Sequence, residues 1–116
     1  MAFKADSYKK DIVTVLKLSG TLDSASKDGL RKAFDGVLAK EKYPMIVLDL
    51  SALEYLSSLG WGLFVEYNRI AKENGGGIKL ALMNDRIDRL YVLMGIAAQI
   101  ESFRDLDGAC SSFILK

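Results

Sequence analysis

Met45-Ile46-Val47-Leu48 is a continuous apolar run set between two stretches of helical periodicity. A strand that is apolar at every position needs cover on both faces, and a parallel sheet with helices against it provides that cover. The flanking segments must then supply the helices. Upstream, Leu30, Ala33, Phe34, Val37 and Leu38 fall on one helical face. Asp23 or Ser24 is the expected N-cap and Tyr43-Pro44 the stop. Downstream, a helix is expected from Ser57 or Ser58, with Gly60, Leu63, Phe64, Tyr67, Ile70 and Ala71 as its inward stripe. Asn74 and Gly75-Gly76-Gly77 end it, because glycine takes the left-handed turn that closes helices.

The same alternation continues on both sides. Phe3 to Tyr8 reads as an edge strand, turned back by Lys9-Lys10-Asp11 into a β-branched strand, Ile12 to Leu18, that Ser19-Gly20 closes. Asp49-Leu50-Ser51 finishes the central strand, and Leu53, Tyr55 and Leu56 form an apolar approach to Ser57-Ser58. Ile78 to Met83 is the next strand. Asn84 or Asp85 caps a third helix with Ile87, Leu90, Tyr91 and Met94 inward, and Gly95 ends it. Gln99 to Phe103 reads as a last short strand, followed by a helix from Asp105 or Asp107 to near Leu115. This order predicts an α/β fold over residues 1–116 as one domain. The sheet is mixed, with an N-terminal hairpin, right-handed β-α crossovers and helices against it.

Length and charge narrow the function classes. A chain of 116 residues holds one core and not two. It carries 16 basic and 15 acidic residues. Up to Ser58 there are nine basic and eight acidic residues, and beyond it seven of each. Neither half has the strong positive field that drives non-specific nucleic-acid binding, so no direct nucleic-acid partner is expected. No apolar run approaches the roughly 20 residues of a membrane span. Met1 to Lys10 is polar and lacks the apolar core of a secretory signal. With one cysteine, Cys110, no internal disulfide is available, and a cytoplasmic setting is the expectation.

There is no histidine, which removes His bases, His metal ligands and the Ser-His-Asp triad together. No metal and no cofactor is expected, and the protein reads as a non-enzyme. A Walker-type GxxxxGK[ST] is absent. Gly60-Trp61-Gly62 begins like GxGxxG, but residue 65 is Val and the pattern fails. Asp49 lies at a strand end, as a receiver phosphoacceptor would, yet the early acidic pair that holds Mg²⁺ is missing. Asp85 and Asp88 interleave with Arg86 and Arg89 and read as a solvated helix face.

Leu53 to Gly62, LEYLSSLGWG, is the informative segment. A strand-like approach delivers two hydroxyls to a helix start, where free N–H groups and partial positive charge favour an anion. A phosphate added there gains hydrogen bonds and changes the charge of an exposed corner. The alternative is that Ser57 or Ser58 simply caps the helix.

The segment and its surroundings resemble the STAS domain, in particular the bacterial anti-sigma factor antagonists. Gly20-Thr21-Leu22-Asp23 is similar to the family's G-E-[LI]-D, and Ile46 to Ser51 to its central strand. Leu53 to Gly62 is similar to L-x-[FY]-[ILM]-D-S-[ST]-G-[LIV]-G, and Arg89 to Gly95 continues the likeness. The resemblance implies phosphorylation at Ser58 and places Gly60 and Gly62 on the family's two glycines. It also implies a partner surface formed by Asp23, Ser57, Ser58, Leu59, Gly60 and Trp61. This sequence departs from the pattern where Ser57 replaces Asp, Leu59 a small residue, Trp61 a smaller aliphatic and Thr21 a Glu.

The implied function is a partner switch. The unphosphorylated antagonist binds an anti-sigma factor, typically a GHKL-type serine kinase, and frees the sigma factor. Phosphorylation breaks that complex, and a PP2C-type phosphatase reverses the mark. The protein would act as a monomer or weak dimer. Trp61 also has a reading as a core residue, since an aromatic near a helix start often packs inward. Two other functions stay open: a non-cycling STAS module that serves as a scaffold, which Ser57 motivates, and an accessory domain for small-molecule or lipid transport.

Overall fold

The computed structural model describes residues 2–114. Strands β1 (Lys4–Lys10), β2 (Val13–Leu22), β3 (Met45–Leu56), β4 (Gly77–Ala81) and β5 (Ser102–Phe103) form one sheet in chain order. β1 pairs antiparallel with β2, and the remaining neighbours are parallel. The helices are α1 (Lys27–Lys40), α2 (Ser58–Glu73), α3 (Asp85–Leu93) and α4 (Leu106–Ile114), with a 3-10 turn at Ile96–Ala98. The mixed α/β sheet with an N-terminal hairpin is as expected.

Alternation along the strands builds two cores. Leu16 and Leu18 of β2, Ile46, Leu48 and Leu50 of β3, and Leu80 of β4 pack with Leu30 and Phe34 of α1, Phe64 of α2 and Tyr91 of α3. Val13, Val15, Val47 and Ala81 pack on the opposite side with Ala109 and Cys110 of α4. This two-sided cover is what the Met45–Leu48 run requires.

Several elements differ from the sequence expectation. β2 does not close at Ser19-Gly20; it runs on to Leu22 against a β3 that continues to Leu56. Register shifts at Lys17/Ser19 and Gly20/Thr21 carry the pair past this point, with Gly20 at φ 82°, a conformation open to glycine. Neither Asp23 nor Ser24 caps α1. The N-cap is Ser26, whose hydroxyl donates to the carbonyl of Thr21 at 2.8 Å instead of serving the helix. Met94 is exposed, not inward, because α3 ends at Leu93 and Gly95 turns the chain. Leu38, Ile70 and Leu90 are half-buried at the core edge.

The strand expected at Ile78 to Met83 spans Gly77–Ala81, with Leu82 already at φ 63°. The strand expected at Gln99 to Phe103 shrinks to two residues. The helix end expected near Leu115 lies outside the described residues. Among the described residues, no helix is long and apolar enough to cross a membrane.

Candidate functional site: the corner between β3 and α2

β4 pairs with β3 only as far as Asp49, so the last turns of β3 lie beside β2 alone. The two strands end together, Leu22 opposite Leu56. The amide of Ser57 then donates to the carbonyl of Leu22 at 3.0 Å. This bond fixes the start of α2 next to the Asp23 turn, so the structure brings together two segments more than 30 residues apart in the chain.

Ser57 is the N-cap of α2, in extended conformation, and its Oγ accepts from the amide of Gly60 at 3.3 Å. Its carbonyl accepts from the amide of Trp61 at 3.1 Å. Of the two expected cap candidates, Ser57 therefore takes the role. Ser58 is the first helical residue and is exposed, and its hydroxyl has no hydrogen-bond partner among the described residues. The first turn of α2 contains no acidic residue. Within that turn its partial positive charge meets the neutral Ser57 cap and no carboxylate.

Asp23 is half-buried. Its Oδ1 accepts from the amide of Ala25 at 3.0 Å, closing a local turn, and lies 3.3 Å from the Ser26 Oγ. Leu59 is 40% exposed beside Ser58. These three residues, Asp23, Ser58 and Leu59, form the accessible part of the corner, with Ser57 half-buried behind them.

Gly60 and Trp61 do not belong to the accessible surface. Gly60 is buried, and a Cβ there would overlap Leu56 and press on Leu22 at 3.1 Å. Its role is to let α2 sit close against the strand ends. Trp61 is 1% exposed and packs edge-on to Phe64, with ring centroids 5.8 Å apart, and against Tyr91. Its expected place among partner contacts gives way to the core, because Phe64 and Tyr91 enclose its ring. Its Nε1 is buried without a hydrogen-bond partner.

The sequence does not single out Tyr55, which is 51% exposed at the end of β3, two residues before Ser57. Strand alternation does not predict it: period two would put Tyr55 on the buried face of Leu53, yet Glu54 and Tyr55 are both exposed between the buried Leu53 and Leu56. Chemically, the corner offers a free hydroxyl at a helix N-terminus, one carboxylate and two exposed apolar side chains. Among the described residues, no group of three or more Cys, Asp or Glu converges to hold a metal ion.

Comparison with known proteins adds four findings. The STAS domain family matches residues 4–109. The anti-sigma F factor antagonist of Paenibacillus polymyxa is 27% identical over 84 residues, which cover 72% of each chain. An anti-sigma factor antagonist from Mycobacterium paratuberculosis superposes with a TM-score of 0.87 at 24% identity, over 97% of this chain and 95% of that one. The anti-sigma factor antagonist SpoIIAA in its unphosphorylated form does so with a TM-score of 0.71 at 15% identity, over 97% of each chain. At these identities the likeness to the solved structures is one of fold.

Proposed function

This chain belongs to the STAS domain family, and from that membership we propose that it is an anti-sigma factor antagonist, a cytoplasmic protein ligand switched by phosphorylation at Ser58. Unmodified, it binds an anti-sigma factor that is also a GHKL-type serine kinase, and so releases a sigma factor. Phosphorylated, it lets the anti-sigma factor go, and a PP2C-type phosphatase resets it. It performs no chemistry of its own.

The observation that carries this reading is the Ser58 hydroxyl, exposed and unbonded at the start of α2 beside the Asp23 turn. A kinase can reach it, and no fold contact is lost when it is modified. A phosphate adds a charge of about −1.5 to −2 at neutral pH. Within α2 that charge is tolerated, because it faces a helix N-terminus. Within an interface fitted to a neutral hydroxyl and to Leu59 and Tyr55, it must be desolvated without a matching cation, which is costly. The same modification therefore spares the fold and opposes the complex. The likeness to the anti-sigma F factor antagonist of Paenibacillus polymyxa supports this reading.

Incubation with ATP and the cognate kinase, followed by mass spectrometric mapping, tests the acceptor. Phosphate on Ser58 is the expected result. Incorporation at Ser57 alone overturns the Ser58 assignment, and no incorporation overturns the switch and leaves the non-cycling scaffold reading, which the neutral Ser57 cap favours.

A further inference from the structure

A concave site lies along α1 from Lys32 to Lys40, away from the Asp23 turn. It is a groove of ≈ 360 Å³ between that helix and the N-terminal hairpin. Lys32, Gly36 and Lys40 line it at intervals of four residues, so they share one helical face. The two lysines stand about 12 Å apart along the axis. A side chain at Gly36 would meet nothing within 4 Å, so the glycine leaves an open notch between them.

On the facing hairpin, the exposed Ser7 and the buried Thr14 also line the groove. Lys9 also lines it, but its ammonium is engaged by Glu41 at 2.8 Å and by the Ile12 carbonyl at 3.3 Å. Lys32 and Lys40 have no ion-pair partner among the described residues. Glu41 also lines the groove but is paired with Lys9, so Lys32 and Lys40 leave the concavity net positive, in a chain whose net charge is only +1.

We propose that this groove binds a small bis-anionic molecule, a bisphosphate by preference, seated over Gly36 with one acidic group toward Lys32 and the other toward Lys40. The volume is in the range of small-ligand sites. A molecule with a single acidic group engages one lysine and leaves the other unanswered. The exposed Ser7 on the facing wall suits the polar body between the two ends. The inference is independent of the partner switch, since it uses none of the residues at the β3–α2 corner.

The test follows amide shifts of the isotope-labelled full chain during titration with fructose 1,6-bisphosphate and, separately, fructose 6-phosphate. The bisphosphate is expected to shift amides around Gly36 and Thr14 saturably and to bind about fivefold more tightly than the monophosphate, as one added exposed ion pair allows. Lys32→Ala and Lys40→Ala should each remove that difference. Gly36→Leu, which improves helix propensity and has room for its first carbon, should abolish both titrations with the fold intact. The assignment is overturned if the bisphosphate binds no more tightly than the monophosphate, if Gly36→Leu leaves the titration unchanged, or if the shifts map to the β3–α2 corner.

Discussion

The amide of Ser57 donates to the carbonyl of Leu22 at 3.0 Å, and this bond seats the first turn of α2 against the end of β2. It holds the Asp23 turn and the Ser58 hydroxyl at one corner. Ser57 then caps the helix through its side chain, so one residue both anchors and caps the element that displays Ser58.

Loss of that cap has a defined cost. Ser57→Ala should lower stability by about 1 kcal/mol, the usual value for a serine N-cap. Ser57→Asp keeps an acceptor and adds a negative charge where the helix favours one, so it should match or exceed the parent. Urea denaturation of the three proteins checks this. A Ser57→Ala protein as stable as the parent contradicts the capping role.

Two glycines of α2 should respond to alanine in opposite directions. At Gly62 a Cβ meets nothing within 4 Å, and Gly62→Ala should stabilise by up to about 1 kcal/mol through helix propensity. At Gly60 the same atom collides with Leu56 and crowds Leu22. Gly60→Ala should therefore destabilise by about 1–3 kcal/mol despite the propensity gain. Denaturation midpoints of the two variants settle the sign.

Tyr67 couples the fold to alkaline pH. Burial, and then its hydrogen bond to Asp35 at 2.8 Å, push the phenol above its ordinary value of 10.0, while Arg31 pulls it back in part. The folded protein keeps this proton where the unfolded chain has begun to release it. The resulting stability is fully present below about pH 10 and is lost as pH rises through the folded value. Denaturation free energies taken from about pH 9 to pH 11 should fall more steeply for the parent than for Tyr67→Phe. Tyr8 and Cys110, also raised by burial, are common to both proteins and cancel in the comparison. Equal slopes contradict the assignment.

Much of this architecture is legible in the chain because it rests on local signals. The continuous apolar run at Met45–Leu48 announces a doubly covered strand, and the stripes of α1 and α2 supply its cover. Asn84 caps α3 as its position suggests, accepting from the amide of Ile87 at 2.9 Å. What local pattern misses depends on tertiary pairing. Gly20 reads as a strand end, yet β2 continues through it because β3 offers a long partner. Ser26 displaces Asp23 and Ser24 as the N-cap because the turn between β2 and α1 has its own internal hydrogen bonds. At the corner, the motif places Ser58 on the surface, but it does not show that the neighbouring Trp61 turns into the core while Tyr55 turns out.

The phosphorylation state of one exposed hydroxyl is held to decide whether the partner stays bound. The direct measurement compares the affinity of the anti-sigma partner for the unmodified protein and for protein fully phosphorylated on Ser58, at one ionic strength. The phosphorylated form is expected to bind at least about tenfold more weakly, a difference of about 1.4 kcal/mol or more. Equal affinity of the two forms would contradict the switch.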